Sequence, residues 1–228
     1  MKINRLRDTW KWGLLISIFS FLGCAGPNSL YSVNMYYDAE QVAIPAYLKA
    51  DKTSSAIISI AEFTDTRRMD DRLVIGHVVE KDGMKNLVLP KNVKATKAIS
   101  KGIKEYLRKA GYKVSDKIVQ WDLKEETMPK EDFKILIGGN IDELEISCRR
   151  DFPTNTYTTN MKLTIIFADI TKGKILYKSK VESNYSKEHV LFSEEDLGEQ
   201  AGIALGDAIE KLFENKAVAQ KLKEAIVQ

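Results

Sequence analysis

Three successive stretches constrain this chain more than any other feature: "FKILIGGNIDELEISC" (133–148), "YTTNMKLTIIFAD" (157–169) and "KILYKSKVESNY" (174–185). Apolar and polar residues alternate along each with a period of two, the pattern of a strand with one covered and one wet face. In the second stretch Tyr157, Thr159, Met161, Leu163, Ile165 and Phe167 share a face, and in the third Ile175, Tyr177 and Val181 do so. Thr171-Lys172-Gly173 supplies the turn between them. Three such strands in a row predict an antiparallel sheet covered on one side only. In the first stretch the apolar residues move from odd positions (Ile135, Ile137, Ile141) to even ones (Leu144, Ile146). That change of phase predicts a bulge or bend near Gly138-Gly139.

The cover must come from helices. Ile99, Ile103, Tyr106, Leu107 and Ala110 have helical spacing, and Gly111 suits the end of a helix that starts near Val93. Leu197, Ala201, Leu205, Ala208, Ile209, Leu212 and Phe213 form a second stripe. Ser193 and Asp196 read as its N-terminal cap, with Glu194 and Glu195 in the first turn where the helix dipole favours acids. The stretch Ala217–Val227 either continues this helix or breaks from it near Asn215. "AIISIAEF" (56–63) is a compact apolar strand, and residues 72–90 read as a hairpin around Asp82-Gly83. The fold class expected is α+β: a twisted antiparallel sheet with two helices packed on one face.

The first residues are of another kind. Lys2, Arg5, Arg7 and Lys11 precede an apolar run from Trp12 to Leu22, eleven residues long. A bilayer core needs about 20 residues to cross. A basic start, a short apolar run and a small residue describe a secretory signal peptide. The small residue is Gly23, and Cys24 follows it. The order apolar–apolar–small–cysteine resembles the bacterial lipobox. That resemblance implies cleavage after Gly23 and lipidation of Cys24 at its thiol and at the new N-terminus, palmitate among the acyl chains. An ordinary signal peptide with an incidental cysteine is the competing reading. The chain then divides into a signal peptide (1–23), a lipidated N-terminus and tether (24–55), and a single α+β domain (56–228). Ala25, rather than Asp, implies by the sorting rule of diderm bacteria the outer membrane rather than the inner one.

Charge narrows the function classes. The 228 residues carry 35 basic and 32 acidic side chains, and residues 1–23 hold four of the bases and one of the acids. The body that remains is neutral, which argues against a nucleic-acid partner, since that demands a basic face. With Cys24 lipidated, Cys148 has no partner for an internal disulfide, and its place in a strand pattern reads as a small buried hydrophobe.

The segments "ISIAEFTDTR", "IGH" (75–77), "YLRKAGYKV", "ILIGGNIDELEISC" and "FSEEDLG" together resemble the YajG-like family of bacterial envelope lipoproteins, deltaproteobacterial relatives included. The resemblance covers roughly residues 24–214. It implies a lipid-anchored protein of the cell outer membrane, with a small α+β domain facing the periplasm, and it brings no activity to transfer. Similar layouts occur in auxiliary lipoproteins of trans-envelope transport systems and in the N-terminal domain of TolB.

Catalytic chemistry needs converging groups. His77 and His189 lack ligand spacing with any other histidine or cysteine, so structural hydrogen bonding is the expected role of each. No nucleophile elbow or P-loop is present. Gly138-Gly139 inside a strand reads as a close backbone approach rather than a phosphate loop. Asp70-Asp71, Asp142-Glu143 and Glu194-Glu195 are adjacent acids, which on a strand point to opposite faces. No enzyme, cofactor or metal is therefore expected. The stretch "DTRRMDD" (65–71) leaves a core strand as a dense charged loop. Asp65 and Arg67 either pair to pin this loop, or Asp65, Arg67, Arg68, Asp70, Asp71 and Arg72 form a partner-binding surface. Its arginines suit acidic partners or lipid head groups. The function expected is a non-enzymatic lipoprotein that binds a protein partner in the envelope; the alternative is a carrier or sensor of a small apolar or lipid ligand.

Overall fold

The computed structural model describes residues 29–51 and 55–227. Gly23, Cys24 and the expected signal peptide lie outside the described residues.

One strand organises the sheet. β7 (Ile135–Arg150) is 16 residues long and is paired along both edges. On one edge β8 (Asn155–Asp169) runs antiparallel to it, and β9 (Lys174–His189) antiparallel to β8. On the other edge three short strands lie end to end, all parallel to β7. They are β2 (Ile57–Ile60) against Ile135–Ile137, β3 (Thr64–Asp65) against Asn140–Ile141, and β4 (Gly76–Val79) against Ile146–Arg149. β5 (Lys85–Pro90) forms the expected hairpin with β4, and β1 (Leu30–Val33) adds in parallel to β5. β6 (Lys113–Val114) lies parallel to β2. α1 (Ala95–Lys109) stands in the crossover between β2 and β6, and α2 (Glu194–Glu214) and α3 (Lys216–Val227) end the chain.

This corrects the expected fold class in two respects. The sheet is mixed: the β7–β8–β9 meander is antiparallel, whereas each of the six short strands, β1 to β6, takes part in a parallel pair. Alternation reports which face of a strand is covered but not which strand lies beside it. The connection through α1 lets β6 return parallel to β2, and residues 115–134 then carry the chain back to start β7 parallel to both. There are also three helices among the described residues, not two. Asn215 leaves the helical region (φ −66°, ψ 105°), and its side-chain oxygen accepts from the N–H of Ala217 at 3.0 Å, which starts α3 as a separate helix.

The main core lies between the sheet and the helices. Ile135, Ile137, Ile141, Leu144, Ile146 and Cys148 of β7 all reach it, although their phase changes on the way. The register shifts between Ile141 and Glu143, so Asp142 is the bulged residue that keeps both halves facing the helices. A smaller cluster forms on the opposite face, where Val119, Trp121 and Phe133, from the connection between β6 and β7, cover Leu136, Ile166 and Ala168. Here β8 is buried on both sides, and its alternation gives way to a continuous buried run. Gly139 fits this crowding, because a Cβ there would stand 2.3 Å from the carbonyl oxygen of Thr164.

Residues 34–37 cross the outer side of α2. Gly198, Gly202 and Gly206 line up beneath them, and a Cβ on Gly202 would approach the Tyr36 carbonyl oxygen to 2.4 Å. The segment expected as a tether thus supplies a strand and several buried side chains, Val33, Met35, Tyr37 and Leu48 among them.

Candidate functional site

The charged loop 66–75 interrupts what is otherwise a continuous edge along β7. It leaves after β3 and returns at β4, opposite the Asp142 bulge. Arg67 turns inward and is 6% exposed. Its Nε and Nη2 donate to the Asp65 carboxylate at 3.0 and 2.7 Å, Nη1 donates to the carbonyls of Val74 and Leu144 at 2.9 and 3.0 Å, and Nη2 also donates to the Arg72 carbonyl at 2.8 Å. All five N–H groups of a guanidinium fit this set of acceptors. Asp65 accepts further from the Arg67 backbone N–H at 3.2 Å. Thr66 donates from Oγ1 to the Ile141 carbonyl at 3.0 Å, and Asp142 accepts from Thr164 Oγ1 at 2.5 Å.

The six candidate residues therefore divide. Asp65 and Arg67 form the internal pin, with both partners shielded from solvent. The other four side chains, Arg68, Asp70, Asp71 and Arg72, are exposed. Asp71 is tied locally, since its carboxylate accepts from the Leu73 N–H at 2.8 Å. Arg68, Asp70 and Arg72 form no ion pair among the described residues. The loop borders an open cleft of about 710 Å³ whose far wall is the start of α1. Leu73 and Ile75 floor it, and Glu62, Lys94 and Gln120 add polar groups at its margin.

No family pattern matches the sequence, and no curated protein does. Among solved structures, protein XCC0632 of Xanthomonas campestris, of the family DUF330, is similar with a TM-score of 0.52. The identity is 9%, over 86% of this chain and 99% of that one. A Helicobacter pylori protein, provisionally described as a neuraminyllactose-binding hemagglutinin homolog, gives 0.44 at 9% identity, over 80% and 97% of the two chains. Lipoprotein GNA1162 of Neisseria meningitidis gives 0.35 at 10% identity, over 70% and 99%. Likeness at these identities is a likeness of fold. It extends the mixed sheet described above to another bacterial protein and assigns no residue a role.

The two histidines, Cys148 and Ser193 complete the residues singled out in the sequence. His77 Nδ1 stands 3.7 Å from Glu145, and His189 Nδ1 lies 2.9 Å from the Leu191 carbonyl and 3.6 Å from Asp196. Cys148 is fully buried, and burial pushes its thiol up to about 11, so it stays neutral and unreactive near pH 7. Ser193 caps α2 as expected, accepting from the Asp196 N–H at 3.0 Å.

Sequence reading did not foresee a second groove, of about 930 Å³, between residues 32–42 and α2. Glu194, Glu195, Glu199 and Glu210 give it an acidic rim. The signal available was "GEQAGIALG" (198–206), glycines four apart that mark a face where backbone comes close.

Proposed function

We propose that this chain is a non-enzymatic lipoprotein of the bacterial outer membrane, anchored through Cys24, whose folded domain binds a protein partner in the envelope. The anchor rests on the run Trp12–Leu22 followed by Gly23 and Cys24, and on the YajG-like resemblance of the segments that follow. The observation that carries the binding role is the Arg67 pin. A buried guanidinium with six hydrogen-bond contacts holds the loop in one shape while the exposed side chains of Arg68, Asp70 and Arg72 form no ion pair among the described residues. Charged groups held rigidly at a surface lose little conformational freedom on binding, which favours a specific partner. Charges of both signs suit a protein surface that is itself mixed in charge.

The test is capture of the full-length, membrane-anchored protein with its neighbours by crosslinking, beside an Arg68→Glu/Arg72→Glu variant. The reading expects one envelope protein enriched with the wild type and lost with the variant, at unchanged thermal stability. No enriched protein under any growth condition, or equal enrichment with the variant, contradicts it.

A further inference from the structure

The turn joining β4 to β5, the turn joining β7 to β8, and the connection from β9 to α2 meet at one end of the sheet. Register proves the meeting: Val79 of β4 is level with Arg149, and Arg150 is level with Asn155, which is level with His189. Side chains tie the three together. Glu80 and Arg150 pair at 2.9 Å, Lys81 Nζ lies 5.7 Å from the Phe152 ring centre, and Asn155 donates to the carbonyls of His189 and Val190.

Each of the three connections presents apolar side chains to water. Phe152 is 86% exposed, Leu191 70% and Val190 68%, and Met84 is exposed beside them. Loop tips normally carry polar residues, and apolar groups gathered at one end need a reason. The position of the N-terminus supplies one. β1 runs parallel to β5, with Leu30 level with Leu87, so the chain enters the fold from this same end. Tyr31 confirms it, packing on Phe192 at 5.2 Å and donating to Glu80. From Cys24 to Ser29 is five residues, a span of at most about 18 Å even when fully extended.

We infer that this end of the sheet is a second membrane contact, in which Phe152, Val190, Leu191 and Met84 dip into the bilayer surface that holds the lipidated cysteine. The inference rests on the anchor proposed above. A lipid-modified Cys24 holds the end within that short reach of the head groups, and apolar tips then lose water to the interfacial layer. Lys81 stands ready at the same level for head-group phosphates. The sheet consequently stands upright on the membrane, its β8–β9 turn (Thr171–Gly173) facing away.

The test uses full-length protein reconstituted in vesicles of phosphatidylethanolamine and phosphatidylglycerol doped with nitroxide-labelled lipid. Single variants Phe152→Cys, Leu191→Cys and, at the far end, Thr171→Cys carry an environment-sensitive fluorophore. Each side chain is exposed, so the fold tolerates the change, and buried Cys148 does not compete for label. The inference predicts a blue shift and loss of emission at 152 and 191, with neither at 171. Intact mass reports Cys24 separately. Lipidated protein with water-like emission at 152 and 191, or with equal quenching at all three sites, overturns the inference and leaves the anchor standing. Water-like emission in vesicles combined with burial in native envelopes assigns this end to a protein partner and equally overturns it. An unmodified Cys24 overturns the anchor and the inference together.

Discussion

Arg67 is the side chain on which the candidate site depends. Its replacement by alanine leaves the Asp65 carboxylate and the carbonyls of Val74, Leu144 and Arg72 without their donor in a shielded place. Breaking a buried pair by removing one partner costs about 3 kcal/mol or more. We expect Arg67→Ala to lose about that much in urea unfolding, and Arg67→Lys to recover only part, since an ammonium cannot serve five divergent acceptors. An Arg67→Ala protein as stable as wild type would show that the loop is held by something else. Glu210 is the residue through which pH should act. Partial burial first, then Glu214 and Asp207, raise its pKa above the ordinary 4.5. A raised carboxyl binds its proton more readily in the folded state, so its contribution to stability is full below the unfolded pKa and is lost as pH rises through the folded one. Glu210→Gln should therefore raise the melting temperature at neutral pH, and the gain should vanish near pH 4. A gain that is constant across this range would contradict the assignment.

Among the elements, α2 links most of the molecule, touching β1, β8, β9, α1 and α3. Its glycines are where residues 34–37 come down onto it. Gly202→Ala should raise helix propensity by about 1 kcal/mol. It also forces a methyl group against the Tyr36 carbonyl at 2.4 Å, and backbone cannot swing away as a side chain can. Overpacking of this kind costs about 1–3 kcal/mol, so the balance should be a loss of stability together with faster hydrogen exchange at residues 34–37. Stabilisation instead would mean that the segment is only loosely laid on the helix. Much at this scale was legible in the chain. The cap at Ser193, the close of α1 near Gly111 (φ +91°) and the phase change along β7 each follow from local chemistry or from period. The parallel neighbours of β7 were not legible, because Ile58 and Ile60 carry the same apolar signal whichever strand lies beside them. The apolar, nearly continuous stretch of β2 was nonetheless a hint of a strand covered on both faces. The Asp65–Arg67 pin was one of the two readings the loop's charges offered, and the structure forms it. What was not legible is that both readings divide the loop, with the carbonyls of Val74, Leu144 and Arg72 completing the burial of Arg67 while Arg68, Asp70 and Arg72 stay exposed.

At the scale of the whole molecule, a mixed-sheet domain presents a charged loop pinned by Arg67, and the anchor proposed at Cys24 precedes it. The anchor is the part on which localisation, partner and orientation all depend. The measurement that tests it most directly is intact mass of the mature protein with membrane fractionation, wild type beside Cys24→Ala. The account predicts an N-terminus at Cys24 bearing a diacylglyceryl group in the outer-membrane fraction, with the variant unmodified and released from that fraction. A wild-type protein with an unmodified Cys24, recovered in soluble form, would contradict it.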